Sequence, residues 1–136
     1  MVKTKKTSSR RSSPSLVDEL FIKMSTHQTT IKLYHFQTRL YSGHKTSDSY
    51  YSKFLELSDQ FLEVAQGIYG RISLKHFNIS GDTLRDSTII AYLTEFGKYL
   101  ETMESRLITN TDLLNIRDEM LAEVNQFKYL HRIERE

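Results

Sequence analysis

Four runs of this chain carry apolar residues at the three- and four-residue steps of an α-helix, and the chain's one proline, Pro14, precedes them all. That pairing constrains the fold more than any other feature. Apolar side chains at i, i+3, i+4 and i+7 form a stripe along one side of a helix, and the stripe must be buried against another element. The first run, about 15–41, turns Leu20, Met24, His27, Ile31 and His35 inward. The second, about 44–68, turns Tyr51, Phe54, Phe61, Ala65 and Ile68 inward. Ser42-Gly43 predicts the turn between them, with Gly43 free to adopt positive φ. Asp82 or Thr83 predicts the cap of a third helix, whose stripe is Ile89, Leu93, Phe96, Leu100 and Met103. Thr109 with Asp112 predicts the start of a fourth, followed by Leu113, Met120, Val124 and Phe127.

Between Gly70 and Gly81 the period changes. Ile72, Leu74, Phe77 and Ile79 come close to alternation, with Lys75 and Asn78 between them. A lone strand would lack a partner. The segment therefore predicts an extended crossover pressed on the bundle. About eleven residues at roughly 3.3 Å each can cover the length of the second helix. The third helix can then run parallel to the second, as in bundles with one long crossover. The expected architecture is an all-α four-helix bundle, residues 15–136, with the crossover between its second and third helices.

Composition narrows the function classes. The chain has no cysteine, which excludes disulfides, zinc fingers and thiol chemistry. No apolar run approaches membrane-spanning length and no signal-peptide core follows the N-terminus, so a soluble intracellular or particle-borne protein is expected. No P-loop, dinucleotide glycines, nucleophile elbow or zincin motif occurs. No Glu-x-x-His occurs either, so a di-iron site inside the bundle is not expected. Asp118, Glu119 and Glu123 read as a charged helix face, with Arg117 and Lys128 nearby in sequence.

The formal charge of +2 hides an asymmetry. Lys3, Lys5, Lys6, Arg10 and Arg11 give residues 1–14 a charge of +5, which leaves −3 for the rest. With so few apolar residues, this segment predicts a disordered basic arm ending at Pro14. Such an arm suits non-specific contact with nucleic-acid phosphates. A solvating tail or an import signal is an equal reading.

The residues with metal-ligand chemistry lie in the first two helices. His44 and Asp48 are four apart, as are Asp59 and Glu63, so each pair shares one face of a helix. The pairs are roughly 16 Å apart along the axis, too far to share an ion within one helix. They are placed symmetrically: His44 and Glu63 are equally distant from the midpoint of residues 53 and 54, and so are Asp48 and Asp59. Two antiparallel copies of this helix would bring His44 level with Glu63 of the other chain, and Asp48 level with Asp59. A homodimer would thus build two equivalent sites. Imidazole and carboxylate ligands suit iron or another first-row metal, and less often zinc. Taken singly, His35 reads as a core histidine, and Asp59 with Glu63 as a solvated acidic flank. His27, His76 and His131 have no carboxylate at useful spacing and read as structural or exposed. Tyr34, Tyr41, Tyr50 and Tyr51 read as packing residues, with a redox relay as the alternative for one near an iron site.

With His35, then His44-x-x-x-Asp48, then Asp59-x-x-x-Glu63 on the first two helices, the chain resembles Dps, the mini-ferritin family. The stretch Thr109–Glu119, with Leu113 and Leu114 after Asp112, resembles the opening of that family's last helix. YHFQTRLYSGHKTSD, LEVAQGIYGRI and NTDLLNIRDEML are also similar in wording to small uncharacterised proteins of large DNA viruses and phages. The resemblance covers about residues 20–132 and implies a ferritin-like bundle. It implies iron at a two-fold interface, with His35, His44 and Asp48 of one chain facing Asp59 and Glu63 of another. Ferrous-iron oxidation and DNA association through the basic arm are the activities it suggests. The alternative is a non-enzymatic structural or interaction protein of a DNA virus or phage, built on the same bundle.

Overall fold

The computed structural model describes residues 15–135, and the described residues include no strand. Five helices follow in order: α1 Leu16–Gln37, α2 Tyr41–Tyr69, α3 Ile89–Glu101, the single turn α4 Met103–Arg106, and α5 Thr111–Arg135. The basic arm of residues 1–14 lies outside the described residues.

Helix α1 starts where the sequence places it. The Ser15 hydroxyl accepts from the Asp18 N–H at 3.2 Å, and Asp18 and Glu19 sit in the first turn, where carboxylates offset the helix dipole. Helix α2 ends on Gly70, whose φ of 103° is open to glycine and closes the helix with an N–H bond to Gln66.

End-to-end contacts fix the topology. The hydroxyl of Tyr99, late in α3, donates to Glu19 at the start of α1, so these two helices are antiparallel. Tyr69, at the end of α2, bonds Asn110 just before α5. His131, late in α5, bonds the carbonyl of Asp86 just before α3 at 3.0 Å. The four long helices therefore run up, down, down, up, and α3 is parallel to α2. The crossover climbs beside α1. Its Ser73 N–H donates to Asp18 at 3.0 Å, and Phe77 packs edge-on to Phe21 at 5.9 Å.

The stripes are buried as expected: Ile89, Leu93, Phe96 and Leu100 of α3, Met103 of α4, and Leu113, Met120, Val124 and Phe127 of α5 share one core. Each large apolar side chain so enclosed contributes about 1.5–3 kcal/mol. Arg117 departs from its reading as part of a charged face. It is 5% exposed, donates to the Leu100 carbonyl at the end of α3 and to Glu104 and Asp118, and so ties α5 to the α3–α4 corner.

Four expectations are corrected. The α1–α2 turn is at 38–40, not at Ser42-Gly43, because Asp86 reaches in from the crossover and binds Thr38 Oγ1 and the Arg39 N–H. Gly43 lies inside α2, against Tyr34 and Thr38. Helix α3 starts at Ile89, not at Asp82 or Thr83, because residues up to Asp86 are still needed to reach that turn. In α2 it is Tyr50 that is buried, while Tyr51 is half-buried and Ile68 is exposed. In the crossover Ile72 packs on the core, but Phe77 and Ile79 remain exposed.

Candidate metal centre

His35, near the end of α1, and His44, in the first turns of α2, meet across the tight turn. Their rings stack with centroids 3.8 Å apart. His35 Nδ1 lies 3.0 Å from the His44 carbonyl, and His44 Nδ1 lies 3.0 Å from the His35 carbonyl. A carbonyl can only accept, so both Nδ1 atoms carry the proton. In the neutral form of each ring Nε2 then carries the lone pair. A histidine that ligates a metal has this arrangement, with its other nitrogen held by a carbonyl or carboxylate. Ser47 Oγ, 3.1 Å from His35 Nδ1, adds a second anchor. His35 is buried and His44 exposed, so the pair sits at the protein surface.

Asp48, Asp59 and Glu63 are all exposed on the outer side of α2, the first about one turn beyond His44 and the others about four and five turns beyond it. Among the described residues none of the three is paired with a cation. Between these polar ends the same face carries Tyr51, Leu55 and Leu62, with Lys32 of α1 over the Tyr51 ring at 4.9 Å. Leu55 and Phe36 are 40% and 69% exposed, which leaves apolar surface open at the middle and at the His end of this face. A groove of about 510 Å³ between α1 and α2 runs beside Asp59, walled by Phe21, Gln28, Leu55 and Leu62.

Of the five residues expected to ligate a metal, the structure brings together His35 and His44 and leaves the carboxylates apart. Among the described residues no three His, Asp or Glu side chains of one chain converge on one ion. Lys3, Lys5, Lys6, Arg10 and Arg11, expected to contact nucleic acid, lie outside the described residues. No helix among the described residues is long and apolar enough to cross a membrane.

Two polar centres escape a reading of the sequence. One is Asp86, whose carboxylate accepts from Tyr34, Thr38 and Arg39. Burial alone would raise its pKa; these donors outweigh it and hold the carboxyl below its ordinary value. The other is His27, 1% exposed, whose two nitrogens each lie 2.7 Å from a tyrosine hydroxyl, Tyr92 and Tyr50. Burial pushes its pKa down to about 3, so the ring is neutral. The inward period of α1 places His27 in the core, but partners 65 and 23 residues away are not legible in it.

No curated protein and no solved structure matches the chain. Residues 35–130, most of the bundle, match a family of unknown function, DUF5856, and the chain belongs to that family.

Proposed function

We propose that this chain is a ferritin-like, Dps-like protein that binds iron, or another first-row divalent metal, at a site completed by a second copy packed against α2. The observation that carries the reading is the locked His35–His44 pair. Two imidazoles present free Nε2 lone pairs at one end of a helix face, and exposed carboxylates occupy the other end. An antiparallel two-fold partner would bring Asp59 and Glu63 of its own chain toward His35, His44 and Asp48. One chain alone supplies too few converging ligands, which fits a site that forms only on association. The up, down, down, up order with its long crossover supports the ferritin-like assignment. Iron in this reading is cargo or substrate, and its oxidation is the activity to be sought. The basic arm is assigned to non-specific contact with nucleic-acid phosphates.

The test is native mass and ferrous-iron titration of the full chain under anaerobic conditions. A dimer or larger assembly binding iron in proportion to its subunits is expected. Asp59→Ala with Glu63→Ala should abolish that binding and leave helical content intact. Unchanged stoichiometry in the double variant overturns the site. The exposure and separation of the carboxylates favour a second reading, a structural or interaction protein on the same bundle. It predicts an assembly whose mass is indifferent to iron.

A further inference from the structure

The centre of the bundle holds a polar chain that the metal reading does not use. His27 projects from the middle of α1 into an aromatic box. Phe96 stacks on its ring at 3.6 Å and 5°, and Phe54 meets it edge-on at 4.8 Å. The Tyr50 hydroxyl is 2.7 Å from Nε2 and the Tyr92 hydroxyl 2.7 Å from Nδ1.

Proton positions follow from satisfying each group. Among the described residues the Tyr50 hydroxyl has His27 as its hydrogen-bond partner. If it accepted from Nε2–H, its own proton would be buried without an acceptor, at a cost of about 1–3 kcal/mol. Tyr50 therefore donates to Nε2, and Nδ1–H donates to Tyr92. Burial raises Tyr92 to about 12, with the nearby Thr30 hydroxyl acting the other way. Thr30 donates onward to the Thr26 carbonyl at 2.7 Å. Thr26, Thr30 and Tyr92 line a groove of about 520 Å³ under the crossover that opens to solvent. Two hydrogen bonds thus lead from a sealed phenol, 3% exposed, through His27 to Tyr92, which itself lines the open groove.

We propose that Tyr50 is a redox-active side chain, oxidised by one electron to a neutral radical while its proton leaves through His27 and Tyr92. The oxidant is a peroxide-derived radical arriving from solvent, which takes the electron and is reduced by one equivalent. The Tyr50 O–H bond breaks and an N–H bond forms at His27 Nε2. In the same shift Nδ1–H passes to the Tyr92 oxygen, and Tyr92 releases its own hydroxyl proton into the groove. His27 ends neutral as the other tautomer, donating Nε2–H to the Tyr50 radical oxygen. No buried imidazolium persists, so the low proton affinity of this ring is no obstacle. Phe54, Phe96 and Phe127 surround the two rings and keep the Tyr50 radical from coupling with another. Tyr41 and Tyr129, at 78% and 61% exposure, have no such shelter. The proposal is independent of the metal reading, because the oxidant comes from solvent.

The experiment is flash photo-oxidation of the full, metal-free chain by a ruthenium tris-bipyridine complex with a sacrificial acceptor, followed by freeze-quench electron paramagnetic resonance. Wild type should show a fast-decaying tyrosyl signal from exposed rings and a long-lived one from Tyr50. Tyr50→Phe should lose the long-lived component alone. Tyr92→Phe lies at the half-buried end of the chain and spares the core. It should slow formation of that component and remove its solvent deuterium isotope effect. A long-lived signal that survives Tyr50→Phe overturns the proposal, as does a wild type whose radicals all decay at the exposed rate. If Tyr50→Phe fails to fold, Tyr92→Phe decides: an unchanged rate and isotope effect overturn the relay.

Discussion

The Tyr34 hydroxyl donates to Asp86 at 2.8 Å, a bond between residues 52 apart in sequence that fastens the end of the crossover to the top of α1. The same carboxylate takes Thr38 Oγ1 at 2.5 Å and the Arg39 N–H at 3.1 Å, so one side chain from the far end of the crossover shapes the α1–α2 turn. That turn holds His35 and His44 face to face. Asp86 is therefore a structural support of the His35–His44 pair at long range.

Asp86→Ala removes an ionised acceptor from three donors at once. A hydrogen bond to a charged group is worth about 1.5–3 kcal/mol. The three act as one network, so the expected loss is about 2–3 kcal/mol and not their sum. Asp86→Asn keeps one acceptor oxygen and should lose less. Urea unfolding at neutral pH measures both. Equal stability of the three proteins would show that the turn holds without Asp86.

His27 makes stability pH-dependent in a definite direction. Its folded pKa of about 3 lies below the ordinary 6.5, so the unfolded chain binds the proton more tightly. The stabilisation is complete above pH 6.5 and is lost as pH falls from there toward 3. At pH 5 the expected loss is about 2 kcal/mol relative to neutral pH. Asp86 and Glu19, both with lowered pKa values, act in the same sense, but only as pH falls through the ordinary carboxylate range and below it. A decline that starts near pH 6.5 thus belongs to histidine. Urea midpoints at pH 7 and pH 5 test it, and His27→Gln should flatten the difference. A midpoint that holds steady in wild type would mean the ring is protonated in the fold.

Which parts of this fold are legible in sequence follows from how local their causes are. The stripes of α3 and α5 and the start of α1 near Ser15 depend on neighbours one turn away. The four-helix order and the crossover depend on chain length and period, and they too can be read. The α1–α2 turn cannot, because Thr38 is fixed by a residue 48 positions on. Tyr50 and Tyr51 are adjacent and both apolar enough to be buried, and only the tertiary partner His27 selects Tyr50. His35 and His44 can be singled out by residue type, but their stacking and shared carbonyl anchors require the turn to be known.

The two glycines of α2 should respond to alanine with opposite signs. A Cβ on Gly43 would lie 2.7 Å from Thr38 Oγ1 and 3.3 Å from Tyr34 Oη. Thr38 is held by Asp86 and cannot easily yield. Overpacking of this kind costs about 1–3 kcal/mol, against roughly 0.5–1 kcal/mol gained from helix propensity. Gly43→Ala should therefore destabilise. Gly67 has nothing within 4 Å of its Cβ position and is exposed. Gly67→Ala keeps the propensity gain and should stabilise by about 0.5–1 kcal/mol. Thermal melts of the two variants beside wild type give the signs directly. A stabilised Gly43→Ala would show that the turn relaxes.

The basic arm should bind DNA with a steep salt dependence. Its five cations can each displace a counterion from the phosphate backbone, and the bundle's own charge of −3 adds nothing attractive. Five phosphate contacts imply a loss of roughly 500-fold in affinity between 50 and 200 mM salt. Several arms on one assembly would add avidity without sequence preference. Phosphate added at Ser12 or Ser13, beside Arg10 and Arg11, would cancel part of this charge and weaken binding. Gel shifts at the two salt concentrations should show the full chain retarding DNA at low salt only, and a chain lacking residues 1–14 not retarding it at all. Equal binding by both chains would move the contact to the bundle. No binding by either at low salt would leave the arm to solvation or import.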